Sequence, residues 1–473
     1  MNTVDVLVIG GGISGLSLLH CLERQGLKTE CWEADQRLGG KIQSHRSGGY
    51  LTEAAATMVM NFRPEVSRFL QATQIAAHRH PRNLQASGQR YLLRNETLHA
   101  VPATIPGLFM SPLFSARGKR HLFREWLIPA GGGPEESAAE FVRRRLGDEV
   151  LSQAMEPFIA GTLAGNADQS NAYSVLPRLT ALERKYGSIT AGVLVHKLLG
   201  KQTARVGEVF SFSGGMGELV ARLSNACRAP ILTGIRAREL RYESGLWRII
   251  GESGNGSIGH RARQVVLCCP AYCAAMLVRR TDSELARWLS SIAYAPVTIA
   301  HTGFSADAVG ADLDGTGFLV PRGENLGING NLWPSSLFKQ RAPAGKVLLS
   351  TYLGGARHPE HAALDHHDTL SQVMADLEGP LRLKGDPEMV RLDRHQRALP
   401  LYHGNYFALS QAIKKRAARI GGLHLLGNYL DGVSVRDRIL QAQLAAGCIA
   451  RTLDRRAISR RRPLGVRQIW SST

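Results

Sequence analysis

Six residues near the start of the chain, Gly10-Gly11-Gly12-Ile13-Ser14-Gly15, constrain the fold more than any other feature. They follow directly on Val4-Asp5-Val6-Leu7-Val8-Ile9, a β-branched run that reads as a buried strand. Behind them, Leu16 to Gln25 carries apolar residues at 16, 18, 19 and 22 and predicts a helix, and Leu27 to Glu33 predicts a second strand. In that setting each glycine has a task. Gly10 permits a tight turn, Gly12 lets the backbone approach a pyrophosphate, and Gly15 lets the helix pack closely on the strand. The helix start, with Ile13 and Ser14 in its first turn, offers N–H groups and a partial positive charge to phosphates. Glu33, with Ala34 after it, ends the second strand where a carboxylate would accept hydrogen bonds from a ribose and repel a 2′-phosphate. The reading is a dinucleotide-binding βαβ unit.

A second glycine pair narrows the nucleotide. Arg37-Leu38-Gly39-Gly40-Lys41-Ile42 comes where an NAD dehydrogenase would run straight into a helix. It resembles the extended fingerprint of FAD-dependent, amine-oxidase-like enzymes, which implies FAD, with Arg37, Gly39, Gly40 and Lys41 beside it. Glu53-Ala54-Ala55-Ala56-Thr57-Met58 is a small-residue stretch suited to lie against a flat ring, and places Thr57 and Met58 at the cofactor.

The chain has 473 residues, room for two or three lobes. Its net charge is +19, and residues 451–473 hold arginines 451, 455, 456, 460, 461, 462 and 467 against Asp454 alone. Such a tail is solvated or seeks an anionic membrane surface. No nucleic-acid-binding pattern accompanies it, and no nucleic-acid partner is expected. Seven cysteines without framework spacing are expected to be reduced thiols, not disulfides or metal ligands. No signal peptide and no membrane-spanning run is expected. The longest apolar stretch, Gln264 to Val278, reads as a buried strand and turn. The expected location is the cytoplasm, or peripheral on the inner face of the cytoplasmic membrane.

Further along, residues 64–80 read as helix and 88–104 as a hairpin turning at Asn95-Glu96. A loop-rich stretch covers 105–135. Helices are expected at 136–146, 150–158, 176–186, 190–199, 217–227 and 367–382, with a final helix from about Ser434 to Leu453. Strands are expected within 230–250 and at 264–269, 294–304, 316–321, 327–332, 346–353 and 423–427. Nucleotide-binding pieces thus open and close the chain. The expected class is α/β plus α+β: a discontinuous Rossmann-type FAD-binding domain (1–88, 206–280, 411–453) with two insertions. These are a helical membrane or cap domain with its hairpin (89–205) and a mixed-sheet substrate domain (281–410). A basic tail (454–473) ends the chain.

Glu156-Pro157-Phe158-Ile159-Ala160-Gly161-Thr162, Leu182-Glu183-Arg184-Lys185-Tyr186-Gly187-Ser188-Ile189, Gly317-Phe318-Leu319-Val320-Pro321, Arg341-Ala342-Pro343, Ala398-Leu399-Pro400-Leu401-Tyr402 and Gly427-Asn428-Tyr429-Leu430-Asp431-Gly432-Val433-Ser434-Val435 resemble the protoporphyrinogen oxidases over nearly the whole chain. That resemblance implies oxidation of a porphyrinogen in two-electron steps within haem biosynthesis, with oxygen or a respiratory acceptor regenerating FAD. It implies that Arg90 pairs with a substrate propionate, as a guanidinium does bidentately. Leu319 and Leu332 would hold one face of the macrocycle and Tyr352 the other, although the family usually has Phe where Tyr352 stands. The segment from Gly161 to Asp168, with Gly161, Ala164 and Gly165, would offer carbonyls to the pyrroles. Gly427, Asn428, Val433, Ser434 and Val435 would hold the flavin, and Ala237 the adenine. The cofactor carries the chemistry, so no Ser/His/Asp or carboxylate-pair constellation is needed, and none stands out. Partners implied are a porphyrinogen, peripheral membrane, a second copy of the chain and a ferrochelatase. Rival readings keep FAD and change the substrate to coproporphyrinogen, an amine or a polyene. Additional arginines at the pocket would mark coproporphyrinogen, with Arg63, Arg94 and Arg117 as candidates. A flavin-bound accessory subunit without turnover is the reading from another class.

Overall fold

The computed structural model describes residues 3–84, 86, 89–102, 107, 110–199 and 207–461, without the side chains of 455–461. The chain opens with β1 (Thr3–Ile9), α1 (Ile13–Glu23) and β2 (Thr29–Trp32). A small hairpin follows, β3 (Ser44–Ser47) and β4 (Tyr50–Glu53), then β5 (Val59–Asn61), α2 (Pro64–Ala72) and β6 (Arg79–Pro81). The second hairpin is β7 (Tyr91–Arg94) and β8 (Thr97–Ala100). Asn95 and Glu96 between them both have positive φ, 48° and 57°, so the turn twists with the strands. A helical block contains α3 (Ala116–Phe123), α4 (Ala138–Leu146), α5 (Glu156–Leu163), α6 (Pro177–Tyr186) and α7 (Ile189–Leu198).

After β9 (Glu208–Phe212) and α8 (Met216–Asn225), the chain returns through β10 (Ile231–Leu232), β11 (Arg236–Glu243), β12 (Leu246–Ser253) and β13 (Gly256–Leu267). Helices α9 (Ala271–Val278) and α10 (Ser283–Ser290) lead to β14 (Tyr294–Ser305), β15 (Gly317–Leu319), β16 (Ile328–Leu332) and β17 (Lys346–Gly354). The last elements are α11 (His366–Leu381), β18 (Met389–Pro400), α12 (Tyr406–Arg419), β19 (Leu423–Leu425) and α13 (Val435–Arg461).

Two seven-stranded sheets organise this mixed α/β fold. The first has the order β10-β2-β1-β13-β12-β11, with β19 also on β13, and β10, β2, β1, β13 and β19 run parallel. Its central strand β1 is mostly apolar, as is the end of β13, because both faces are covered there. Val6, Val8, Cys31 and Val266 pack against Leu18, Leu19 and Leu22 of α1 and Ala442, Ala446 and Ile449 of α13. Leu7, Ile9, Val265 and Leu267 meet α9, α10 and α12 on the other side. The second sheet has the order β18-β14-β17-β16-β15-β7-β8. One of its faces, with Ala300, Phe304, Phe318, Leu349 and Leu353, packs on Val373, Leu377 and Leu381 of α11. The opposite face looks toward the glycine-rich half.

Several sequence expectations need correction. The apolar stretch ending at Val278 is strand only to Leu267; Pro270 caps α9, whose AYCAAMLV sequence is apolar all round and gives no helical period. The helix expected over 64–80 stops at Ala72, because Gln74 takes a left-handed conformation (φ 59°) and residues 79–81 join β9 as a strand. The helix expected at 150–158 is present as part of a helical run from Asp148 to Leu163, with a π-turn over Leu151–Met155 before Pro157 in the first turn of α5. The final helix runs past Leu453 to Arg461. The tail arginines 455, 456, 460, 461, 462 and 467 fall outside the described side chains. Strand β18 and helices α10 and α12 have no counterpart in the sequence reading. All seven cysteines are free thiols. Among the described residues no helix is long and apolar enough to cross a membrane.

Candidate functional site

The glycine loop divides its glycines between two duties. A Cβ on Gly15 would stand 1.9 Å from the carbonyl oxygen of Gly10, so Gly15 is required by the protein itself. Gly10, at φ +112°, lies against the Cys268 and Cys269 backbone. Gly12 differs: its Cβ would meet no protein atom nearer than Gly39 O at 4.0 Å, and its φ of −76° suits any residue. Gly40 across from it is equally open, its Cβ only 3.7 Å from Gly12 Cα. Gly39 bridges to this loop by donating its N–H to Gly11 O at 2.9 Å. The start of α1, where Ile13 and Ser14 are buried, has no side-chain cap. An open cradle between two glycines at an uncapped helix start fits a dinucleotide pyrophosphate.

Around the cradle, Glu33 accepts hydrogen bonds from Gly11 N at 2.6 Å and Asp35 N at 2.9 Å. These hold its carboxylate at the strand end beside half-buried Ala34. Ile235 N donates to Glu33 O, which brings Ala237 on β11 to the same edge. Arg37 is exposed and donates only to Leu38 O. Lys41 Nζ donates to Ala398 O at 2.6 Å and lies 5.7 Å from the Tyr294 ring centre; burial pulls its pKa down to about 8.

The C-terminal glycine segment reaches the same half. Buried Arg438 donates to Gly427 O at 2.5 Å and Leu430 O at 2.6 Å, while the Tyr402 hydroxyl donates to Asn428 O at 2.9 Å. The ring of Tyr429 leaves no room for a Cβ on Gly427. Ser434 uses its hydroxyl to cap α13, accepting from Asp437 N and donating to the Asp437 carboxylate; Val433 is half-buried and Val435 buried beside it.

On the second sheet, register settles which side chains share a face. Leu319 stands opposite Gly330, Gly330 opposite Tyr352, and Leu332 opposite Ser350, so Leu319, Leu332 and Tyr352 share one face of the sheet, with Leu319 packed on the helical block. Gly161 on α5 packs there too; a Cβ on it would come 2.4 Å from Leu319 Cδ2. Ala164, left-handed at φ 52°, gives its carbonyl to Ala356 N at 2.8 Å, so that carbonyl is already engaged within the protein. Gly165 is wedged against Ser170 and Ile159. Burial raises the Tyr352 pKa, and the Thr57 side chain, close to the hydroxyl, opposes that rise. This proximity brings the two halves together at Tyr352. Half-buried Met58 is next to it. Arg90, just before β7, is exposed and touches Met60 Sδ at 3.6 Å. Arg94, about 13 Å along that strand, is spent on the carbonyls of Pro112 and Leu113, and Arg117 sits on α3 in the helical block. Neither joins Arg63.

Three arrangements escaped the sequence reading. Buried Glu53 pairs with buried Arg341 at 2.5 Å and also accepts from Met216 N and the Ser44 hydroxyl. Burial raises the Glu53 pKa, and Arg341 opposes that rise. Arg438 is the second, holding the backbone of residues 427–430. The third is a polar row: His301 Nδ1 meets Ser350 Oγ at 2.8 Å, His301 Nε2 lies 3.4 Å from Asp393, and Arg391 donates to Asp393 at 2.8 Å. Burial pushes the Asp393 carboxyl up, but His301 and Arg391 hold it well below the usual range. Ser350 and His301 are each 1% exposed, so no substrate reaches this row and it acts as polar core. Of these residues the sequence reading quotes only Glu53, within Glu53-Ala54-Ala55-Ala56-Thr57-Met58, and Arg341, within Arg341-Ala342-Pro343, and does not pair them.

Residues 13–450 match the family of flavin containing amine oxidoreductases. The chain belongs to this family. It is an FAD-dependent oxidoreductase, and the cradle around Gly12 and Gly40 fits that cofactor. Among its relatives, the coproporphyrinogen III oxidase of Bacillus subtilis (strain 168) is 26% identical, over 93% of this chain and 96% of that protein. The mitochondrial protoporphyrinogen oxidase of Nicotiana tabacum is 27% identical, over 95% and 94%. The crystal structure of an Exiguobacterium sp. 255-15 protein named as a protoporphyrinogen oxidase superposes with a TM-score of 0.78 at 22% identity, over 95% of this chain and 99% of that one. At that identity the likeness is one of fold.

Proposed function

We propose that this chain oxidises a porphyrinogen to the porphyrin in porphyrin and haem biosynthesis, with protoporphyrinogen IX as substrate. The observation that carries the reading is the face made by Leu319, Leu332 and Tyr352, tied to the cofactor half through Thr57. Relatives of both porphyrinogen-oxidising names span nearly the whole chain and support it. FAD, when bound, supplies the two-electron acceptor. The protein's part is positional. The apolar face excludes water from a flat, greasy substrate, Gly161 lets α5 close against that face, and Arg90 at its edge anchors a propionate. No side chain need act as nucleophile. Oxygen or a respiratory acceptor takes the electrons onward.

A second reading, coproporphyrinogen as substrate, is favoured by a cluster of arginines near Met60, described below. A peripheral membrane contact is supported by the helical block, where Leu194, Leu198 and Leu199 at the end of α7 and Phe123, Trp126 and Leu127 after α3 are exposed. The test of function is to supply FAD-loaded protein with protoporphyrinogen and, separately, coproporphyrinogen in air and to follow porphyrin fluorescence. Turnover of either above the autoxidation rate is expected; silence with both would overturn the reading.

A further inference from the structure

The segment Met60-Asn61-Phe62-Arg63 gathers cations that the fold does not need. Arg178, from the first turn of α6, and Arg436, from the first turn of α13, each place the guanidinium carbon 3.9 Å from the centre of the Phe62 ring. Arg63 lies 5.9 Å from the same ring. Arg436 donates to Met60 O at 2.9 Å, and Arg90 reaches the Met60 sulfur from the other side. Arg82 adds a fifth positive charge, close enough to act on Arg90. Against these five guanidiniums stands Asp437, bound to Arg436. Among the described residues no carboxylate forms an ion pair with Arg63, Arg82, Arg90 or Arg178. Burial and then the like charges of Arg436 and Arg63 hold the Arg178 pKa below its usual value.

Like charges drawn onto one ring from two helices and from the residue before a third are not a solvated surface face. Arg63 and Arg178 are exposed, so the ring orients their forks without covering them, as a planar guanidinium stacked on an aromatic remains free to bind at its edge. The location also matters. Met60 is three residues beyond Thr57, roughly 10 Å of extended chain, and Thr57 is close to Tyr352 on the apolar face. We propose that Arg63, Arg178 and Arg436 form a second carboxylate subsite, separate from Arg90. It receives further acidic arms of a ring lying on Leu319, Leu332 and Tyr352, and so selects a porphyrinogen with more carboxylates. This rests on the porphyrinogen reading and moves its preferred substrate from the dicarboxylate protoporphyrinogen IX to the second reading, the tetracarboxylate class. Bidentate guanidinium–carboxylate pairing is the recognition chemistry.

The test is equilibrium binding to the FAD-loaded full chain, read by fluorescence quenching, with coproporphyrin III (four propionates) and protoporphyrin IX (two) as probes. The wild type is expected to bind coproporphyrin more tightly. Arg178→Ala and Arg63→Ala should each weaken coproporphyrin binding roughly tenfold, the effect of losing a charge-assisted pair. Arg178→Glu should weaken it further, Arg178→Lys less, and protoporphyrin binding should change by less than about threefold. Flavin content should stay at wild-type level in all four. Coproporphyrin affinity unchanged in both alanine variants, equal loss for the two porphyrins, or loss of flavin would overturn the subsite. Turnover is a separate readout. If the wild type oxidises neither porphyrinogen but the binding pattern holds, the reaction assignment falls and the subsite stands.

Discussion

Replacing Gly12 with alanine separates what the glycine loop does for the protein from what it does for a ligand. The backbone at Gly12 (φ −76°, ψ −179°) is open to any residue, and the added methyl would find no protein atom within less than 4.0 Å. The cofactor-free protein should therefore keep its stability to within about 0.5 kcal/mol. Gly15→Ala is the contrast. Its methyl would stand 1.9 Å from a backbone oxygen, so α1 or the strand end must retreat by about 1 Å, at a cost on the order of 3 kcal/mol. For the bound protein the order reverses in meaning. The Gly12 methyl occupies the closest approach to the pyrophosphate and should weaken FAD binding roughly 10- to 100-fold, or about 1.4–2.8 kcal/mol. The assay has two parts: thermal unfolding of the apoprotein, and FAD reconstitution followed by flavin absorbance. Gly12→Ala with wild-type FAD affinity would refute the placement of the cofactor. Gly15→Ala as stable as wild type would refute the packing argument.

Arg341→Leu should destabilise the protein by about 3–5 kcal/mol, because it strands the Glu53 carboxylate without its counter-ion; an unchanged denaturant midpoint would contradict this. The depressed Asp393 carboxyl contributes stability that is complete above the unfolded carboxylate pKa of about 3.9 and fades as pH falls below it toward the folded value. Asp393→Asn should accordingly flatten the acid limb of the stability curve, measured by thermal melts from neutral pH downward. Tyr352→Phe removes the hydroxyl beside Thr57 and keeps the ring; melts should show a loss of no more than about 1 kcal/mol, with kcat close to wild type, and a large fall in kcat would give the hydroxyl a direct role in the reaction.

Local pattern made much of this molecule readable. The strand–glycine–helix unit, the hairpin at Asn95-Glu96 and the strands 294–305, 328–332 and 346–354 carry their signals within a few residues. Strand β18 was unreadable because Arg391, Asp393 and His395 point into the protein, where His301 and the Ala54 carbonyl receive them, and this erases the apolar alternation. Helix α9 is lined by apolar residues on all sides and shows no period. At the site, the glycines and Glu33 were legible since their roles are local. Arg341, Arg438 and the convergence of Arg63, Arg178 and Arg436 were not. Arg341 lies 288 residues from Glu53, and Arg178 and Arg436 lie 115 and 373 residues beyond Arg63, so only the folded topology brings these partners together; Arg438 is within 11 residues of its partners, but they are backbone carbonyls and leave no side-chain pattern to read.

The most direct test of the account is anaerobic rapid mixing of the FAD-loaded protein with protoporphyrinogen or coproporphyrinogen, following flavin absorbance. Bleaching that saturates with porphyrinogen and matches porphyrin appearance is the predicted result. Flavin that stays oxidised with both, in protein that a chemical reductant bleaches normally, would contradict it.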